Sequence, residues 1–175
     1  MHPLPLWIAL LAALLAACTD LRSRRIPNWL TLGTLGAGLA VQTALSGPSG
    51  LGLGVLGAFA AGLPALALFK LRAMGGGDVK LLAGCGALLG PSAGFELLLA
   101  TAVAGGALAV AMVFLQRAWA VTAHNGLHLL RHWRARGLAP CPAVSLGRSR
   151  GITVPYGVAI ACGMLFTFVS RSGSL

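Results

Sequence analysis

Apolar residues run in long blocks along this chain, and polar residues are confined to the short stretches between them. A helix that crosses hydrocarbon needs about 20 mostly apolar residues, because each adds about 1.5 Å and the core is about 30 Å thick. Six blocks reach or approach that length, at 3–19, 29–46, 51–69, 79–93, 95–116 and 152–170. The fourth is short, and the Gly90-Pro91 pair closes it. Between the fifth and the sixth lies a longer, more polar stretch over 118–150. The pattern predicts an all-α, polytopic fold of six transmembrane helices in a single domain over residues 1–175.

Composition sharpens this reading. The chain is 57% hydrophobic and only 9% charged, with 25 glycines, which leaves too little charge for a soluble surface. Abundant small residues suit closely packed membrane helices, whose backbones approach where side chains are small. The net charge of +10 could point to nucleic acid, but the basic residues cluster in the short segments between apolar blocks. There they fix topology and meet anionic lipid headgroups, and no basic and aromatic residues interleave as a nucleic-acid surface requires. With the N-terminus outside, the inside segments hold every basic residue except Arg171. Six spans therefore put both termini outside and the polar connections in the cytoplasm.

Several secondary signals are weighed and set aside. "LAAC" at Leu15 to Cys18 resembles a lipoprotein cleavage box, but the arginines follow the apolar run where a signal peptide needs them before it. Within 118–150, Trp119, Ala123, Leu127, Leu130 and Trp133 share one helical face and Arg117, His124, His128 and Arg131 the other. This predicts an amphipathic helix on the inner membrane surface. His124, His128 and His132 have metal-ligand spacing, yet arginines crowd their face and no carboxylate or cysteine joins them, so no metal is assigned. Cys18, Cys85, Cys141 and Cys162 are far apart and form no CxxC pair, so neither a disulfide nor a cluster is implied. Glu96 opens the fifth block near its outer end, where a structural role is expected.

Only three acidic residues are present, Asp20, Asp78 and Glu96. Asp20 ends the first block and begins "DLRSRRIPN"; Asp78 begins the fourth inside "GGGDVK". The topology brings both to the inner membrane face, and a carboxylate there marks either a functional site or an ion pair. Pairing of Asp20 with Arg24 and of Asp78 with Lys80 is the plainer alternative. The glycines Gly75 to Gly77 argue against it, since they clear side chains beside Asp78 as though an extended peptide must approach. Two facing carboxylates sharing a water are acid/base machinery for amide hydrolysis and need no cofactor. A proton or cation relay in a transporter is a second reading, and a non-catalytic assembly factor a third. A relay would call for charged residues deeper in the helices, or for an internal repeat.

The motifs carry a resemblance. "GGGDVK" is similar to the GxGD motif of membrane-embedded aspartic proteases, with Gly75, Gly77 and Asp78 in the motif positions and Lys80 following. "DLRSRRIPN", with Arg25, Pro27 and Asn28, resembles the first-aspartate motif of prepilin peptidases. "VPYG" at Val154 to Gly157 resembles the start of that family's last helix. The resemblance implies Asp20 and Asp78 as the catalytic pair. It also implies cleavage of basic leaders from type IV prepilins or pseudopilins at the cytoplasmic face of the bacterial inner membrane. Longer members carry a paired-CxxC insert and also N-methylate the new terminus. That insert is absent here, so the resemblance is to the short, peptidase-only kind associated with tight-adherence pili.

Overall fold

The structure, a computed structural model, describes residues 3–71, 74–115, 134 and 155–173. The described residues form five helices: α1 (Pro3–Ser23), α2 (Asn28–Lys70), α3 (Gly76–Leu89), α4 (Pro91–Leu115) and α5 (Tyr156–Ser172). Among the described residues there is no strand, as the sequence predicts. The predicted amphipathic helix, its histidines and Cys141 lie outside the described residues. Helices α1, α2 and α4 are long and apolar enough to cross a membrane.

Three boundaries differ from the sequence reading, each for a local reason. Helix α1 runs past its apolar block to Ser23, so Asp20 sits within the last turn rather than after the helix. The α1 turn ends at Arg24, a non-glycine residue at φ 52°, whose N–H donates to Asp20 O at 2.8 Å. The second and third blocks merge into α2, broken only at Gly47 (φ 61°, ψ −145°). The fourth and fifth blocks shift because Gly90, at φ 78°, stops α3 and Pro91 opens α4. Proline suits a first helical position, where its missing N–H has no partner to lose.

The Gly47 break folds α2 back on itself. A straight helix would hold residues 42 and 54 about 18 Å apart. Instead, a methyl placed on Gly54 would touch Gln42 Cβ at 3.6 Å and Leu39 Cδ2 at 3.2 Å. The arms are therefore antiparallel, and α3 lies between them. Gly38 of the first arm meets the Leu88 backbone N at 2.8 Å, measured from an added Cβ, and Gly84 meets Leu35 N at 3.0 Å. On the second arm, Gly57 abuts the carbonyl of Gly86, and Gly62 packs on Ala83. At Gly38, Gly57 and Gly84 these are contacts with backbone atoms, where an added side chain would force a shift. Gln42 spans the same interface, its amide Nε2 donating to Leu88 O at 2.7 Å.

Helix α3 is thereby enclosed, with Leu81, Leu82, Cys85, Ala87 and Leu88 fully buried. At 14 residues it is about 21 Å long, too short to span hydrocarbon alone. Helix α5 runs beside α1 and is fastened at its far end twice. Trp7 meets Phe168 edge to face at 4.7 Å between centroids, and Arg171 bridges to Glu96 of α4 at 2.6 Å. Glu96 thus has the structural role expected of it.

Glycine substitutions separate these contacts from open surface. Gly86→Val should lower the melting temperature in detergent, since overpacking costs about 1–3 kcal/mol. Gly33→Ala, at a position with nothing within 4 Å, should be neutral or stabilising. Equal effects from the two would contradict this packing.

Candidate active site

Both aspartates lie at one end of the molecule, buried to 8% and 9% exposure, although helix α1 supplies one and α3 the other. They are near enough for the charge of Asp20 to act on Asp78. All three acidic residues of the chain are described, and these two alone are buried in this way; Glu96 is partly exposed at the opposite end.

Asp20 stands in an awkward place. The last turn of a helix carries the negative end of its dipole, which repels a carboxylate. The first turn of α5 offsets this: the Gly157 N–H donates to Asp20 Oδ2 at 2.9 Å, in a buried bond. Pro155 caps α5 in an extended conformation (φ −72°, ψ 92°) and directs that turn onto α1. Gly157 must lack a side chain, because a methyl there would stand 2.8 Å from Asp20 Cβ and 3.1 Å from Ala16 O.

Asp78 is the third residue of α3 and folds back on its own cap. Its Oδ2 accepts the Gly75 N–H at 3.2 Å, so the carboxylate satisfies one of the free amides that open any helix. The glycines before it do clear side chains, but the cleared space is used within the chain. A methyl on Gly75 would meet Asp78 Oδ2 at 2.8 Å, one on Gly77 would meet Ile26 Cβ at 3.2 Å, and one on Gly76 would meet the Phe69 ring at 3.4 Å. Within the described residues, the glycines seat the carboxylate and the α1–α2 connection.

The supporting residues of the two motifs meet across the site. Lys80 Nζ donates to Asn28 Oδ1 at 3.1 Å, which joins the α3 motif to the α1–α2 motif. Lys80 thus has a partner other than Asp78, against the ion-pair alternative for that aspartate. Pro27 caps α2 (φ −69°, ψ 142°). The Arg25 carbonyl accepts a bond from Ser23 Oγ at 3.2 Å, and its side chain is exposed. Between the two ends of the bundle, the buried polar side chains are the hydroxyls of Thr31, Thr34, Thr101 and Thr167. No buried charge stands among the described residues there to continue a relay.

The sequence reading placed Tyr156 and Gly157 only at the start of a helix, with no part in the site. In the structure Gly157 holds Asp20, and the half-buried Tyr156 lies within reach of the Asp78 charge. The available signal was Pro155 followed two residues later by glycine, a helix start with an uncovered amide.

The family model of the type IV leader peptidases matches residues 7–110, a stretch that contains both aspartates. Searches of curated proteins and of solved structures gave no match. Helix α5 lies beyond the matched stretch, yet its first turn binds Asp20. The match covers more than half of the chain, which therefore belongs to the type IV leader peptidase family.

Proposed function

We propose that this protein is a membrane-embedded aspartic endopeptidase that removes the basic leader from type IV prepilins or pseudopilins, with Asp20 and Asp78 as its catalytic pair. The reading places the site at the cytoplasmic face of the inner membrane, with both termini outside. One observation carries it: two buried carboxylates, 58 positions apart in sequence, come within electrostatic reach of each other at one end of an apolar helical bundle. Such pairs cannot both ionise easily and share a proton.

The chemistry follows from that shared proton. The ionised carboxylate takes a proton from a water as its oxygen attacks the scissile carbonyl, and the protonated partner donates a hydrogen bond to the carbonyl oxygen. As the tetrahedral intermediate collapses, the C–N bond breaks and a proton passes to the leaving amine. The products are a carboxylate on the leader and a free amine on the mature chain. Gly157 N–H and Gly75 N–H each hold one oxygen of an aspartate, and among the described residues no hydrogen bond to the other oxygen of either competes with this work. The exposed Arg22 and Arg25 serve the topology rather than the substrate, since a basic leader would be repelled by them.

Asp20→Asn and Asp78→Asn should each lower conversion of a prepilin by roughly 10²–10⁴-fold while the protein stays inserted, because Asn cannot carry the proton. Asp→Glu at either position should also be poor, since a displacement of about 1 Å can cost ~100-fold. Glu96→Gln should retain most activity. Near-normal processing by either Asn variant would overturn the assignment.

Turnover should fall on both sides of a pH optimum: acid protonates the base, and alkali removes the proton of the acid. A monotonic profile through the range where the protein remains folded would contradict a shared proton. Gly157→Ala keeps the N–H but pushes on Asp20, so kcat should drop about 10- to 100-fold with KM little changed. In a background without native cysteines, Ser23→Cys should react with an impermeant thiol reagent in inverted vesicles but not in intact cells. The reverse pattern would sink the orientation.

A further inference from the structure

The chain contains a single tyrosine, Tyr156, and the fold brings it to the aspartates. It is the first residue of α5, one position before the glycine whose N–H holds Asp20. The Val158 N–H donates to Pro155 O at 3.1 Å, which closes this turn and fixes the Tyr156 backbone relative to Asp20. The ring packs against the buried core, and one of its edges lies on Gly105 of α4. A methyl on Gly105 would stand 3.3 Å from Cε1 and 3.9 Å from Cδ1, so the ring uses the space that glycine leaves. From there Tyr156 lies within reach of the Asp78 charge, which makes it a neighbour of both aspartates.

The Tyr156 hydroxyl has no hydrogen-bond partner among the described residues, although a phenol packed into a bundle ordinarily finds one. It is not sealed away either. Among the described residues the buried side-chain oxygen without a partner is Thr101 Oγ1, so the Tyr156 hydroxyl is accessible. A tyrosine of the membrane interface would also keep its hydroxyl accessible, but such rings stand against lipid. This ring is seated between helices.

The proposed chemistry has a use for such a donor. As water attacks, the scissile carbonyl oxygen gains negative charge, which donors fixed in advance stabilise strongly in apolar surroundings. One aspartate acts as base, so the pair itself supplies only one donor to that oxygen. The Gly157 and Gly75 amides are already committed to the carboxylates.

Resting on the peptidase reading above, we propose that Tyr156 is a further catalytic residue, its hydroxyl donating a hydrogen bond to the scissile carbonyl oxygen as that oxygen gains charge. The phenol keeps its proton throughout. Gly105 is a positioning residue, whose missing side chain lets the ring lie where its hydroxyl meets the substrate.

Two experiments test this, both on the full chain in detergent with a prepilin as substrate. Tyr156→Phe keeps the ring and should lower kcat about 10²-fold with KM little changed, the cost of one donor lost from a developing oxyanion. Its melting temperature should match that of the unsubstituted protein. Gly105→Ala should lower kcat roughly fivefold by displacing the ring, yet lower it no further in the Tyr156→Phe background. Gly106→Ala, with nothing within 4 Å, should leave kcat unchanged. Normal kcat in Tyr156→Phe, or losses that add with Gly105→Ala, would overturn the proposal.

The second experiment uses the fact that growth on 3-fluorotyrosine changes this position alone. A fluorinated phenol is a stronger donor, so kcat should rise roughly twofold or more if the hydroxyl meets the developing oxyanion. A fall would place the hydroxyl on Asp78, where a stronger donor weakens the base, and would overturn the assignment. The Asp20→Asn and Asp78→Asn enzymes separate this proposal from the reading it rests on. Loss of turnover in both, beside a normal Tyr156→Phe enzyme, removes the tyrosine alone. Normal turnover in both, beside a slow Tyr156→Phe enzyme, keeps the tyrosine and sinks the aspartate pair.

Discussion

The bond from the Gly157 amide to the Asp20 carboxylate joins the last helix of the bundle to the last turn of the first. Without it, a buried carboxylate would face only the carbonyl end of its own helix, which is electrostatically unfavourable. The first turn of α5 supplies what that end lacks, a free N–H and the positive end of a helix dipole. The rest of the site is arranged around this exchange. Tyr156 comes along as the preceding residue, and α3 brings Asp78 to the same end with its own amide partner.

The second constraint is the absence of side chains where backbones meet. Helix α3 is held between the arms of α2 by Gly38, Gly57, Gly62, Gly84 and Gly86, and on a third side by Gly94 of α4 against Gly86. In lipid, apolar side chains gain little from leaving their surroundings, so association rests on close contact of this kind. Asp78 is thereby mounted on the most enclosed of the described helices, and its position inherits the rigidity of that contact set.

Much of this was legible in the sequence because lipid imposes a simple rule on long apolar blocks. The helical class, Asp20 and Asp78 at one end, and the structural part of Glu96 all follow from block lengths and the scarcity of acidic residues. What escaped was set by contacts between distant residues. Helix α1 continues through "DLRS" because the Asp20 carbonyl accepts the Arg24 N–H and its side chain finds Gly157, neither of which hydropathy records. The glycines before Asp78 announce cleared space, and in the structure Asp78 itself, Ile26 and Phe69 stand beside it. Sequence shows that a side chain is missing but not which neighbour moves in. Helix α5 shares this difficulty: Gly157 is visible in the sequence, but not that Asp20 is the neighbour its amide meets.

The turn at Gly47 bears on how such a chain is made. A single non-helical residue separates the arms of α2, and the residues about it, from Gln42 to Gly50, carry no charge. Two of its hydroxyls are also spent locally: Ser49 Oγ donates to Ser46 O at 2.7 Å, and Thr43 Oγ1 to Leu39 O at 2.6 Å. On the proposed topology this is the part of α2 that must cross the bilayer during biogenesis. Transfer of a turn whose Thr43 and Ser49 hydroxyls are already bonded within the arm costs less than transfer of a hydrated loop. The two arms are then suited to enter the membrane together as a preformed hairpin, with the slot for α3 already shaped between them before Asp78 has been synthesised.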